Sequence, residues 1–226
     1  MISVKICGIT NESDLAQAVE AGADMVGFVV VETSPRYVDF NKAQTLIRKA
    51  AELGVEPWVV ATIAVPWLDK LVDETPEIGA VQLHGKETPG QVAGFARRHQ
   101  LVPVVKAMGV TRPRDLDEAR DFVFADAFLF DAKPPLGATR EGGHGAAFDW
   151  SILKGFRVHD HEDWTLSGGL TAENVAEAIA KSGAVAVDVS SGVEASHGTA
   201  SVATTHGSTP SSAALRISAC ALAKST

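Results

Sequence analysis

The feature of this chain that most constrains its fold is a regular alternation between short apolar runs and segments with helical periodicity. The runs are rich in β-branched residues, and several are apolar at almost every position. That pattern is typical of parallel strands that are covered on both faces. The predicted strands are Ile2–Ile6, Met25–Val31, Trp58–Ile63, Ala80–Leu83, Val102–Ala107, Ala127–Phe130, Trp164–Leu166 and Val185–Val189.

The segments between these runs carry apolar residues at helical spacing, and some begin with a residue suited to capping a helix, such as Asn11. The predicted helices are Asn11–Ala21, Phe40–Leu53, Pro66–Glu74, Thr88–His99, Thr111–Arg120, Thr171–Lys181 and, near the C-terminus, Ser212–Lys224.

The number and spacing of the strands favour one architecture. Eight strand starts between residues 2 and 185 give (185 − 2)/7, or about 26 residues per unit, which suffices for a strand, a helix and two short loops. An open doubly wound sheet is disfavoured because its Gly-rich first turn is missing. We therefore predict an α/β protein, a single (β/α)8 barrel over residues 1–226 whose Ser- and Thr-rich residues 195–226 form an atypical tail and last helix.

The chain is acidic, because 20 Lys and Arg residues against 28 Asp and Glu residues give a net charge of −8. An acidic surface repels a phosphodiester backbone, so we predict no nucleic-acid partner. No run of eighteen apolar residues and no signal-peptide pattern occurs, so we predict no membrane association and a cytoplasmic location. The two cysteines, Cys7 and Cys220, cannot form a disulfide framework or a thiolate metal site.

Active sites of (β/α)8 barrels lie at the C-terminal ends of the strands, so the polar residues there are candidate functional residues. Two turns of small residues, Gly168–Gly169 and Ser190–Gly192, follow the seventh and eighth strands. Their backbone N–H groups can approach an anion closely, and barrels often bind a phosphate between these two loops. The candidate substrate-binding residues are Lys5, Arg36, Gln82, His84, Gly168, Gly169, Asp188, Ser190, Ser191 and Gly192.

Two residues are candidates for acid–base chemistry. Cys7 ends the first strand with Lys5 two residues earlier on the same face, and we expect the cation to lower the pKa of the thiol; the alternative is a small buried hydrophobe. Asp131 ends an apolar run, where the surroundings favour the protonated acid; the alternative is a loop cap.

Arg36 is a candidate of another kind: it could bind a carboxylate bidentately or lie solvated on the surface.

Two other segments bear on the site. The Gly- and Pro-rich stretch Asp131–Ala147 follows the sixth strand and is interpreted as a lid loop. The run His159–His161 has the residue types of a metal site but precedes the seventh strand, at the opposite end of the barrel from the catalytic mouth. We interpret it as a solvated turn, and we predict no metal.

The ordered set of motifs resembles the phosphoribosylanthranilate isomerase family over residues 2 to about 195. The matching pieces are Val4–Thr10, Glu20–Asp24, Ser34–Val38, Val81–Gly85, Phe130–Lys133, Gly142–Gly145, Phe148–Trp150, Ser167–Leu170 and Val187–Glu194. The resemblance implies a TIM barrel of the ribulose-phosphate-binding type. It also implies an enzyme of tryptophan biosynthesis that converts N-(5′-phosphoribosyl)anthranilate to 1-(2-carboxyphenylamino)-1-deoxyribulose 5-phosphate without a cofactor.

By the same resemblance, Asp131 is the general acid, Cys7 the general base, Arg36 the partner of the anthranilate carboxylate, and the two small-residue turns hold the phosphate. The sequence departs from the family at Gly143–Ala146, within the lid loop, and after Glu194. A different sugar-phosphate barrel enzyme and a non-catalytic barrel that binds a phosphorylated metabolite are the alternatives. The oligomeric state is left open between monomer and homodimer.

Overall fold

The computed structural model describes residues 2–132, 149–157 and 164–194. Eight parallel strands form a closed barrel in which each strand pairs with its neighbours in sequence and the eighth pairs with the first. The strands are β1 Ser3–Cys7, β2 Met25–Val29, β3 Glu56–Ala61, β4 Ala80–Leu83, β5 Val104–Val110, β6 Ala127–Ala132, β7 Trp164–Leu166 and β8 Ala186–Val189. The predicted (β/α)8 barrel is confirmed, and every predicted strand overlaps an observed one.

Over the described residues, the five α-helices between the strands lie where apolar periodicity predicts helices, whereas two of the three 3₁₀ helices, Trp150–Leu153 and Ser191–Val193, were not predicted. The α-helices are α1 Glu12–Glu20, α2 Phe40–Glu52, α3 Leu68–Glu74, α4 Pro89–Arg98 and α5 Val175–Ser182, and the 3₁₀ helices are Pro113–Asp121, Trp150–Leu153 and Ser191–Val193. The predicted last helix, the proposed lid beyond Ala132, the His159–His161 run and residues 195–226 lie outside the described residues.

One predicted α-helix is instead a 3₁₀ helix, Pro113–Asp121. Its buried apolar side chains, Leu116 and Ala119, are followed by buried Phe122. These residues are three positions apart, and a helix with three residues per turn brings such positions onto one face. The apolar period of this segment therefore suits the tighter helix.

The twofold alternation of the strands decides which side chains enter the barrel. In β1, Val4 and Ile6 pack in the main core between the strands and the helices. The intervening residues face the barrel interior, as expected from the strand period of two. A separate interior cluster, of Met25, Trp58, Ala80, Val105, Ala107 and Leu129, packs inside the barrel. This cluster supports the polar residues that follow toward the C-terminal ends of the strands.

Lys106 and Glu87 form a buried ion pair beside the β4 strand end, with Nζ and Oε2 2.8 Å apart and side chains 4% and 1% exposed. Lys106 also donates to the carbonyl oxygens of Gly85, at 2.9 Å, and Leu83. Glu87 accepts from the N–H groups of Gly85 and Ile63. The pair therefore fixes the backbone that follows β4.

We expect Lys106→Met to lower the free energy of unfolding by about 3–5 kcal/mol, because it leaves Glu87 buried without its cation. Urea denaturation followed by circular dichroism measures the change. Lys49→Met is the matched control: Lys49 pairs with Glu52 at 3.1 Å at an exposed position, and exposed pairs contribute ~1 kcal/mol or less. Adding Glu87→Gln to Lys106→Met should recover part of the loss. Equal effects at positions 49 and 106 would contradict the assigned role of the pair.

Candidate active site

A cavity opens at the C-terminal ends of the strands, where the barrel interior meets solvent. Ten of the twelve predicted site residues line it: Cys7, Arg36, Gln82, His84, Asp131, Gly168, Gly169, Asp188, Ser190 and Ser191. Of the other two, Lys5 is fully buried, and Gly192 follows β8 without lining the cavity. The strand period explains the grouping, since these polar residues occupy the inward positions of β1, β4, β6 and β8.

Lys5 is the centre of the polar cluster beneath the cavity. Its side chain is fully buried, and Nζ donates to Gln82 Oε1 at 2.9 Å and to Asp188 Oδ1 at 2.8 Å. The thiol of Cys7 is close enough to interact with the ammonium group as well. An ammonium group has three donors and no acceptor, so each of these partners must accept. Burial lowers the pKa of Lys5, but Asp188 and Cys7 outweigh that effect and the pKa is raised.

The environment of Cys7 corrects one prediction from the sequence. Removal of the thiol from water raises its pKa to about 11, and Asp188 adds to the rise, whereas Lys5 and Arg36 act in the opposite direction. The expectation that Lys5 leaves Cys7 with a lowered pKa is therefore wrong. The cation does favour the thiolate, but the loss of hydration is the larger effect.

Gly27, at an inward position of β2, provides the space for this pair. A Cβ atom at Gly27 would lie 2.8 Å from Cys7 Sγ and 3.2 Å from Lys5 Nζ. Side-chain atoms of β1 thus occupy the volume that any other residue at position 27 would need. A glycine inside an apolar strand is the sequence signal that could have identified this residue.

Asp131 lies at the end of β6 and is 5% exposed. Its Oδ2 is 3.5 Å from Nε2 of His84, and Nδ1 of His84 is 3.0 Å from Nε2 of Gln82. Because Gln82 also binds Lys5, a continuous line of polar contacts runs beneath the cavity from Cys7 to Asp131.

Arg36, in the loop after β2, is held by a buried ion pair with Glu194, whose Oε1 accepts from Nε at 2.5 Å. Among the described residues, its two terminal nitrogens have no hydrogen-bond partner. Those nitrogens can bind a carboxylate in the cavity. The sequence analysis did not identify Glu194 as a site residue, because residues 36 and 194 are too distant in the chain for spacing to connect them.

The loops after β7 and β8 line one side of the cavity with small residues. Gly168 and Gly169 have φ values of +92° and +65°, a region that glycine adopts without strain. A Cβ at Gly192 would lie 1.9 Å from the carbonyl oxygen of Leu170, so Gly192 permits close packing of the two loops and does not line the cavity. Ser167, which the sequence analysis did not propose, donates to Asp188 Oδ2 at 3.2 Å.

The described residues contain no group of three or more His, Cys, Asp or Glu side chains able to hold a metal ion. Over the same part of the chain, no helix is both long enough and apolar enough to cross a membrane.

Comparison with known proteins relates this site to a family. Residues 4–204 match the family model of N-(5′-phosphoribosyl)anthranilate (PRA) isomerase. The isomerase of Rhodospirillum rubrum is 45% identical over 202 residues, covering 86% of this chain and 90% of that protein. The isomerase of Paracoccus denitrificans is 46% identical over 201 residues, covering 87% and 90%.

Solved structures show the same fold. The crystal structure of phosphoribosyl anthranilate isomerase from Thermotoga maritima has a TM-score of 0.80 at 36% identity, covering 98% of this chain and 100% of that one. A phosphoribosyl anthranilate isomerase in complex with reduced 1-(o-carboxyphenylamino)-1-deoxyribulose 5-phosphate has a TM-score of 0.77 at 34% identity and the same coverage. The chain therefore belongs to the N-(5′-phosphoribosyl)anthranilate isomerase family.

Proposed function

We propose that this protein converts N-(5′-phosphoribosyl)anthranilate to 1-(2-carboxyphenylamino)-1-deoxyribulose 5-phosphate, with Asp131 as general acid and Cys7 as general base. The observation that carries the assignment is that both groups line one cavity from two separate strands, β1 and β6. A substrate between them can receive a proton on one side and lose one on the other.

The acid step opens the sugar ring. Asp131 donates its proton to the ring oxygen, the bond between that oxygen and C1′ breaks, and the anthranilate nitrogen supplies the electron pair that forms the protonated Schiff base. Asp131 is left as a carboxylate, 3.5 Å from the His84 ring.

The base step moves the double bond. The thiolate of Cys7 removes the proton from C2′, and the electrons of that C–H bond form the enolamine as the iminium nitrogen is neutralised. Tautomerisation of the enolamine to the ketone, with a proton added at C1′, gives the product. Lys5 favours the thiolate through its hydrogen bond and its charge.

Binding groups surround the reacting atoms. We assign the terminal nitrogens of Arg36 to the anthranilate carboxylate, and the backbone of Gly168, Gly169, Ser190 and Ser191 to the phosphate. Asp188 also lines the cavity, and its contacts with Lys5 and Ser167 hold the Lys5 cation in place.

We further infer that the enzyme acts in the cytoplasm as a monomer or homodimer. The acidic composition is compatible with a freely diffusing metabolic enzyme, and one solved relative is described as monomers generated from the dimeric isomerase of T. maritima. Light scattering of the purified protein determines which state this chain adopts.

The direct test of function follows the fluorescence of freshly prepared N-(5′-phosphoribosyl)anthranilate with and without the protein. We expect a protein-dependent loss of signal, and a decrease in kcat of about 10²–10⁴-fold for both Cys7→Ser and Asp131→Asn, the usual contribution of a general base or acid. KM should change little, because the carboxylate and phosphate partners remain. Signal decay at the uncatalysed rate would contradict the proposed function; near-normal kcat in either variant would contradict that residue's role.

The pH dependence of kcat/KM tests the acid–base pair, since the productive form has a proton on Asp131 and none on Cys7. Carboxyl groups ordinarily ionise at far lower pH than a thiol with a pKa of about 11. Between the two ionisations, each rise in pH adds thiolate and removes protonated acid equally, so the productive fraction stays constant.

We therefore expect kcat/KM to be flat from about pH 7, where the substrate phosphate is largely doubly ionised, and to fall only as pH approaches the Cys7 pKa of about 11. Circular dichroism at each pH controls for unfolding. A fall centred near pH 8.5, the ordinary thiol value, would show that the thiol pKa is not raised.

Gly27→Ala should lower kcat by about 10²-fold, the scale expected for a displacement of a catalytic group by about 1 Å. The new Cβ would have to displace Cys7 Sγ, which lies 2.8 Å from its position. Gly94→Ala in α4 is the control, since its Cβ would meet only Arg98 Nη1 at 3.7 Å. Steady-state kinetics and thermal unfolding of both variants separate activity from stability. Unchanged kcat in a folded Gly27→Ala protein would contradict the positioning of Cys7.

A further inference from the structure

We propose that Gln82 is a positioning residue that holds His84 in one neutral tautomer, with the proton on Nε2 and a bare Nδ1. His84 then faces Asp131 as an uncharged donor, and its proton cannot lie on Nδ1, the ring nitrogen that faces Gln82. The catalytic consequence rests on the role of Asp131 proposed above, whereas the tautomer itself does not.

The argument starts from Lys5, whose ammonium group can only donate. Its partner in Gln82 must therefore be the amide oxygen, and Oε1 lies 2.9 Å from Nζ. Both side chains are fully buried, so a reversed amide would direct its NH2 group at the ammonium without water to separate them. The orientation of the Gln82 amide is thereby fixed by charge.

With Oε1 facing Lys5, the NH2 group of Gln82 faces Nδ1 of His84 at 3.0 Å. A contact between an NH2 group and a ring nitrogen is a hydrogen bond only if the nitrogen accepts. Nδ1 therefore carries no proton, and in the neutral ring the proton is on Nε2. A doubly protonated ring would place two donors against each other at this contact.

Nε2 of His84 is 3.5 Å from Oδ2 of Asp131, longer than a formed hydrogen bond but within reach of one after a small movement of the carboxyl group. Hydrogen bonds between catalytic groups are often long in unliganded enzymes and shorten with substrate bound. In the Nε2–H tautomer this contact is favourable, because the carboxyl oxygen accepts. In the Nδ1–H tautomer two lone pairs would oppose each other whenever Asp131 is a carboxylate.

The charge state of His84 matters for an acid that must keep its proton until the ring oxygen takes it. A cationic imidazole beside Asp131 would favour the carboxylate, so that less of Asp131 would hold the proton that the ring oxygen must receive. A neutral N–H donor orients the carboxyl group with a smaller effect on its ionisation. Gln82 thus connects Lys5, which favours the thiolate of Cys7, to neutral His84. His84 in turn orients the carboxyl group of Asp131.

Other charged groups are arranged around this line of contacts. Asp131 faces His84 directly, and Lys5, with Asp188 and Cys7, lies beyond Gln82. On the outer side of the β4 strand end, the Lys106–Glu87 pair binds Gly85, the residue after His84. That pair fixes the backbone, and the tautomer is assigned to the Gln82 contact alone.

The decisive variant is Gln82→Glu, which keeps the shape and the acceptor for Lys5 but replaces the donor to Nδ1 with a second acceptor. Nitrogen-15 NMR of the histidine-labelled protein at about pH 8 reports the proton on each ring nitrogen. We expect an Nε2–H ring with unprotonated Nδ1 in the parent protein and a protonated Nδ1 in Gln82→Glu. Gln82→Met, which removes both polar atoms, should give a mixture of tautomers and serves if the Glu variant does not fold.

An unprotonated Nδ1 in Gln82→Glu, or a protonated Nδ1 in the parent protein, would overturn the proposal. Because these spectra need no turnover, they are independent of the proposed function. If the spectra show the predicted tautomer but the protein has no isomerase activity, the tautomer assignment is confirmed and its proposed role in catalysis is wrong.

Kinetics then separate positioning from direct substrate contact. We expect Gln82→Glu to lower kcat at least tenfold with KM within about twofold of the parent value. His84→Gln keeps a neutral N–H donor at the reach of Nε2 and should lower kcat less than the shorter His84→Asn does. An increased KM with unchanged kcat in Gln82→Glu would show that Gln82 binds substrate and would overturn the positioning role.

Discussion

The buried ammonium group of Lys5 is the constraint on which the rest of the site depends. An isolated charge inside a barrel is strongly disfavoured, so the fold must supply acceptors on every side of it. It does so with Asp188, Gln82 and the Cys7 thiol, from strands β8, β4 and β1. Each of those partners in turn takes a defined orientation. The polar interior of the barrel is therefore ordered outward from one cation.

Strand alternation explains why two lysines with similar sequence contexts have different roles. Lys5 lies within β1 and Lys106 within β5, and both are buried. Lys5 is at an inward position and contacts cavity residues, whereas Lys106 binds Glu87 and backbone carbonyl groups beside β4. A shift by one residue in either strand would exchange these environments.

The sequence allowed the barrel to be predicted because apolar runs and helical stripes report burial directly. It also identified the residues around the cavity, since strand ends of a barrel converge. It could not predict the pKa of Cys7, because the balance between the Lys5 charge and the loss of hydration depends on packing density. The contacts of Glu194 and the space beside Gly27 depend on distant elements of the chain. Asp131 was identified by its position at the end of an apolar run, but its contact with His84 required the fold.

The ion pair between Lys5 and Asp188 joins residues 183 positions apart. During synthesis on the ribosome, β1 emerges long before β8, and for that whole interval Lys5 lacks its anionic partner. Because an unpaired charge strongly disfavours burial, the interior of the nascent barrel must stay hydrated or open around β1. Closure of the barrel and assembly of the catalytic cluster are thus a single late event, and a chain interrupted before Asp188 would contain neither.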